Sequence, residues 1–108
     1  MTIHHAKNLP NADKITLGKS DPYCFVNLGR TRFRTCTIER NLNPVWERTF
    51  YFDIEDLYHN LVITLFDQDQ SGEDDFLGRL CLPVQDIIDG KKDRIFFIFH
   101  NEQLFVYS

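Results

Sequence analysis

The sequence predicts an all-β fold, an eight-stranded antiparallel sandwich. Three observations carry that prediction. Apolar, aromatic and β-branched residues come in short runs, several of them alternating with period two. The runs are bounded by Asn, Asp, Gly and Pro at roughly the 8–12-residue spacing of sandwich strands. And 108 residues, 43 % of them apolar, supply material for one core but not two.

The first strand is expected over Thr2–Lys7 and the second over Pro22–Leu28, where a proline is tolerated because a strand's first N–H need not pair. Residues 32–39 alternate, with Phe33, Thr35 and Thr37 on one face and Arg32, Arg34, Cys36 and Ile38 on the other. Asn43-Pro44 then turns the chain into a strand over 47–54, with Trp46 anchoring near the sandwich end. Strands follow over 61–66 and 76–83, and Gly78 is expected to supply backbone freedom beside a crowded loop. Val84, Ile87 and Ile88 at i, i+3 and i+4 read as one helical turn capping the sandwich. Strands at Arg94–His100 and Gln103–Tyr107 complete the set. Residues 1–108 read as a single domain, expected to be cut from a larger protein.

Composition excludes several functions. A net charge of −4 and a pI near 5.4 argue against a nucleic-acid binder, which needs a basic surface. No run approaches the ~20 apolar residues of a membrane-spanning helix, and no signal peptide is visible. Cys24, Cys36 and Cys81 are an odd set without a pairing pattern, expected to be reduced, buried or half-buried thiols in a cytoplasmic setting. His4 and His5, adjacent on a strand, are expected to face opposite ways, and with His59 and His100 scattered no zinc site is expected. No Gly-x-Ser-x-Gly turn or other catalytic constellation is present, so neither enzyme activity nor a small-molecule substrate is expected.

The chemistry concentrates in residues 67–75, where Asp67, Asp69, Glu73, Asp74 and Asp75 put five acids into nine positions. Such a loop needs wide solvent exposure or a cation, and hard carboxylate oxygens suit calcium. Alternation puts Asp67 and Asp69 on one side of a strand end, and the Ser71-Gly72 turn can fold Asp75 back towards them. The Asp-x-Asp-x-Ser-Gly run imitates an EF-hand loop, but the twelfth position is Gly78 rather than Glu, and the flanking Asn60–Phe66 stretch is strand-like. Asp13 and Asp21 bracket a second loop, and loops at one end of a sandwich meet in space. Asp13, Asp21, Asp67, Asp69 and Asp75 can thus share one pocket. A solvated, metal-free acidic loop is the competing reading.

Four segments in order, Gly18-Lys19-Ser20-Asp21-Pro22-Tyr23, Asn41-Leu42-Asn43-Pro44-Val45-Trp46-Glu47, Phe66-Asp67-Gln68-Asp69 and Asp75-Phe76-Leu77-Gly78, resemble the successive signatures of the C2 domain family across almost the whole chain. The resemblance implies a C2-type Greek key, with the phospholipase-like (type II) strand order suggested by the final strand at 103–107. It also implies two or three calcium ions held by Asp13, Asp21, Asp67, Asp69 and Asp75, joined by the backbone carbonyls of Lys14 and Gln68. Glu73 and Asp74 are expected to supply field rather than ligation. The loop from Asp13 to Asp21 is longer than the family's usual one, which leaves Asp13 the least secure of the five.

From this follows an expected mechanism: calcium reverses the sign of the loops and docks a monomeric, cytoplasmic module on an anionic phospholipid membrane as a peripheral protein when calcium rises. Ile15 and Leu17 either insert at the interface, beside Lys14 and Lys19, or pack against their own loop, while Gln70 and Ser71 form a shallow third-loop tip. Some family members read phosphoinositides through a lysine-rich strand face. Here that face keeps Arg32 and Arg34 but opposes them with Phe25 and Asn27, which favours a protein partner or a plain basic edge. The alternative function is therefore a calcium-independent protein–protein interaction domain.

Overall fold

The computed structural model describes residues 1–11, 19–54 and 58–108. Among them lie β1 (Thr2–Lys7), β2 (Pro22–Leu28), β3 (Thr31–Arg34), β4 (Val45–Thr49), β5 (Asn60–Asp67), β6 (Asp75–Pro83), α1 (Val84–Ile88), β7 (Arg94–His100) and β8 (Gln103–Tyr107). The eight strands form two four-stranded sheets, ordered β4-β1-β7-β8 and β3-β2-β5-β6. Every neighbouring pair is antiparallel except β1 with β7, which run parallel. Asn101 and Glu102, both at positive φ, make the two-residue turn that joins β7 to β8.

The core is built by alternation. Ile3 and Ala6 on β1, Cys24, Val26 and Leu28 on β2, Leu61, Ile63 and Leu65 on β5, and Ile95 and Phe97 on β7 are buried between the sheets. Fully burying a side chain such as Ile63 or Phe97 contributes about 1.5–3 kcal/mol, so this inner layer dominates the stability of the sandwich. Val84 of α1 is buried as well, which seats the helical turn against the same core.

Five local expectations are corrected. The strand expected over 32–39 stops at Arg34, because buried Thr35 replaces a ladder bond with its side chain. The Thr35 N–H donates to the Cys24 carbonyl at 3.0 Å, while the Cys24 N–H donates to Thr35 Oγ1 at 2.9 Å. The chain then leaves strand geometry, and Ile38 packs on the core instead of sharing the face of Arg32 and Arg34. The strand expected over 47–54 is shifted to Val45–Thr49; its last bonds to the neighbouring strand are those Phe50 exchanges with Met1.

His4 and His5 do not face opposite ways. Ile3 pairs with Ile95 but His5 pairs with Phe96, so β1 carries one extra residue at a bulge. Both imidazoles turn outward between buried Ile3 and Ala6, with their Nδ1 atoms in hydrogen-bond contact and their rings edge-to-face at 4.7 Å. Gly78 serves packing rather than backbone freedom, since a Cβ there would come within 3.2 Å of Leu104 on the opposite sheet. All three cysteines are free, but only Cys24 is buried; Cys36, beyond the end of β3, and Cys81, on the outer side of β6, are exposed.

Thr35 yields a stability prediction. Thr35→Val strands the Cys24 N–H in the core and is expected to cost about 1–3 kcal/mol in urea unfolding, whereas Thr35→Ser, which keeps the hydroxyl, costs less. A loss in Thr35→Ser that equals or exceeds that in Thr35→Val, which keeps the methyl group, would contradict a dominant role for the hydrogen bond.

Candidate metal centre

Strand register assembles the acidic end of the sandwich. β5 lies between β2 and β6, with Pro22 opposite Asp67 and Asp67 opposite Asp75. Asp21, one residue before Pro22, therefore meets Asp67 and Asp75 at three adjacent strand ends. The Asp21 N–H donates to Asp67 Oδ1 at 2.8 Å, and the Gln68 N–H donates to the Asp21 carbonyl at 3.0 Å. Asp21 Oδ1 in turn accepts from the Arg40 N–H at 2.7 Å, with Arg40 at a φ of 49°. The Asn41 N–H holds the Ser20 carbonyl at 3.0 Å. The stretch before Asn43-Pro44 thus braces the start of β2, which gives that motif its architectural role.

Charge is costly at the centre of this group. Asp67 is buried, and burial pushes its carboxyl above the ordinary carboxylate range. The charges of Asp21 and Asp75 push the same way, against the favourable hydrogen bond from the Asp21 N–H. Asp69 sits in a turn of its own making, its Oδ1 accepting from the Ser71 N–H at 2.9 Å and the Ser71 hydroxyl at 3.0 Å. A Cβ at Gly72 would stand 3.3 Å from Asp69 Oδ2, so the missing side chain leaves that carboxylate its room. Asp74 accepts from the Tyr23 hydroxyl through Oδ2 and from the Asp69 N–H, at 2.9 Å, through Oδ1. These two bonds, the tyrosine's first, hold the Asp74 carboxyl below its ordinary range.

Of the residues singled out in the sequence, Asp21, Asp67, Gln68, Asp69 and Asp75 are brought to one end of the sheet. Lys19 and Gln70 lie exposed at the same end. Asp13, Lys14, Ile15 and Leu17 fall outside the described residues. Among the described residues no three His, Cys, Asp or Glu side chains stand together as a metal-binding group, and Asp69 is engaged by Ser71. The donor chemistry nonetheless fits calcium: the carboxylates are hard oxygen ligands without Cys or His among them, and like charges crowd a buried one. Sequence reasoning missed Tyr23 and the Arg40 N–H; the first acts from a neighbouring strand and the second from the turn between β3 and β4, neither of which residue spacing displays.

The arginine face is built differently from a solvated edge. Arg32 lies over the ring of Phe25 at 3.6 Å and Arg34 over Tyr23 at 3.9 Å. Tyr23, Phe25, Phe66 and Phe76 continue the ring contacts across β2, β5 and β6, with centroids 5.4 to 6.2 Å apart. Phe76 remains 60 % exposed at the rim.

Comparison with known proteins agrees with this architecture. The family model described as "C2 domain" matches residues 1–98. "Multiple C2 and transmembrane domain-containing protein 1" of Rattus norvegicus is 39 % identical over 102 residues, covering 94 % of this chain and 10 % of that protein. The chain thus spans about a tenth of the length of that relative. A solved, calcium-bound structure of two successive C2 domains of Extended-Synaptotagmin 2 superposes with a TM-score of 0.70 at 31 % identity, covering 87 % of this chain and 35 % of that one. A single C2 domain of plant Extended Synaptotagmin 1 gives 0.72 at 25 % identity, covering 79 % and 66 %.

The raised Asp67 carboxyl predicts a stability trade in metal-free protein. A folded-state value above the unfolded one means that the ionised group weakens the fold at neutral pH and that the strain is relieved as pH falls through the folded value. Asp67→Asn is therefore expected to raise the urea midpoint at pH 7 without metal, with the gain vanishing in acid below the ordinary carboxylate range. A midpoint lowered equally at both pH values would contradict it.

Proposed function

This chain belongs to the C2 domain family, whose members serve generally as membrane-binding modules, and we propose that it binds phospholipid in a calcium-dependent way as one module of a larger protein. The observation that carries the reading is the register that sets Asp21, buried Asp67 and Asp75 at neighbouring strand ends, where the charges of Asp21 and Asp75 act on Asp67. Like charges so placed gain most from a cation. Asp21, Asp67, Asp69 and Asp75, with Asp13 and the carbonyls of Lys14 and Gln68, would hold it. Calcium at these residues supplies positive charge and coordination positions open to lipid phosphate.

The residues around the site do the remaining work. The hydrogen bonds from the backbone of Asp21 and Arg40 keep two carboxylates aligned before any ion arrives. Lys19 and Gln70, exposed at the rim, face headgroups, and Ile15 and Leu17 would add apolar contact. No change of fold is needed, because the switch is one of charge. The calcium reported for a structural relative and the similarity to multiple-C2 proteins with transmembrane domains support the reading. The edge position of β8 supports the phospholipase-like strand order. A cytoplasmic, peripheral and monomeric module is the form this proposal takes.

One observation favours a second reading, a calcium-independent protein contact: the arginines stacked on Phe25 and Tyr23 with exposed Phe76 beside them. Sedimentation with vesicles of phosphatidylserine and phosphatidylcholine separates the two. Binding is expected in calcium, lost in chelator, and weakened at least about tenfold by Asp67→Asn with Asp69→Asn, given how strongly ligand charge sets calcium affinity. Binding that ignores chelator and survives the double substitution, or no vesicle binding at all, would move the protein-contact reading ahead.

A further inference from the structure

The residue that sets the acidic loop in place is not itself among the expected ligands. Asp74 lies between Asp69 and Asp75, and its two oxygens are used by different elements. Oδ2 accepts from the hydroxyl of Tyr23 on β2, and Oδ1 accepts from the backbone N–H of Asp69 at 2.9 Å. Tyr23 is 3 % exposed and cannot move aside easily. Its ring stacks on Phe66, the residue before Asp67, at 5.8 Å, and meets Phe25 edge-on at 5.4 Å. Arg34 covers it from β3 at 3.9 Å. Asp74, the last residue before β6, thereby ties the start of the loop at Asp69 to a rigid strand through a single side chain.

We propose that Tyr23 and Asp74 are positioning residues for the calcium site, a strut that fixes the backbone of Asp69, and that Asp74 acts through geometry rather than through its charge. The proposal rests on the calcium reading and deepens it. A carboxylate contributing only field has no need of two directed bonds, and here each Asp74 oxygen already serves a protein donor. An untied loop must lose backbone freedom when its ligands close on an ion, and a tied one has lost it already. The same strut joins the metal loop to the arginine face, since the ring that Arg34 covers is the one that holds Asp74.

Conservative substitution separates the roles. Asn at 74 keeps an oxygen for the Asp69 N–H and an amide that can bond the tyrosine hydroxyl, but carries no charge. Calcium calorimetry on Asp74→Asn, Asp74→Ala and Tyr23→Phe is read beside hydrogen exchange of the Asp69 amide in metal-free protein. Asp74→Ala, which loses both directed bonds, and Tyr23→Phe, which loses one, are each expected to weaken calcium binding at least about fivefold and to speed Asp69 exchange by a similar factor. Asp74→Asn is expected to stay within about twofold of the parent in both measurements, since it keeps those bonds. Equal calcium losses in Asp74→Asn and Asp74→Ala would overturn the proposal in favour of charge or ligation, as would unchanged Asp69 exchange in Tyr23→Phe. If the parent protein binds no calcium, the calcium reading fails on its own, and with it the role assigned to the strut at that site. Exchange at Asp69 still decides whether the strut exists.

Discussion

Everything at the acidic end depends on the register of one strand. β5 is sandwiched between β2 and β6, and its side chains alternate between the core and the outer face. Leu61, Ile63 and Leu65 must point inward, and that requirement sets where Asp67 falls. A slip of one residue would turn all three leucine and isoleucine side chains outward, so the hydrophobic core enforces the register. The same register delivers Asp67 opposite Pro22 and Asp75. Carboxylates that would otherwise separate are held together by burial elsewhere in the sheet.

That constraint explains the pattern of hydrogen bonding around them. Backbone N–H groups of Asp21, Gln68, Asp69 and Arg40 all turn towards neighbouring oxygens, and Tyr23 and Ser71 add hydroxyls. Such donors offset part of the cost, yet burial first, and then the charges of Asp21 and Asp75, keep the Asp67 carboxyl raised despite them. The residual electrostatic strain is the feature that a cation would relieve on the proposed reading. On the outer face of the same sheet, rings and guanidinium groups form a second layer, and Tyr23 belongs to both systems.

Much of the fold was legible because alternation and turn residues are local signals. Thr2–Lys7, Pro22–Leu28, Arg94–His100 and Gln103–Tyr107 stand at their expected limits, as does the helical turn at Val84–Ile88. The misread elements share a cause: a single residue changes period in a way composition does not announce. Thr35 substitutes its hydroxyl for a ladder bond, and the bulge at His4 turns two adjacent histidines to one side. Asp21, Asp67, Asp69 and Asp75 could be grouped from sequence because residue type and loop position suffice for that. The functions of Tyr23, Asp74 and the Arg40 N–H required knowing which strands lie side by side.

The central claim is that these carboxylates are arranged for a divalent cation, and ligand linkage tests it most directly. The measurement is the thermal midpoint of the isolated chain against free calcium, with magnesium as the control. The account predicts a midpoint that climbs with the logarithm of calcium concentration once the site begins to fill, as binding to the folded state alone requires, and a much smaller effect of magnesium, which demands stricter octahedral geometry. A midpoint indifferent to calcium into the millimolar range would contradict it, and the acidic end would then be a solvated loop.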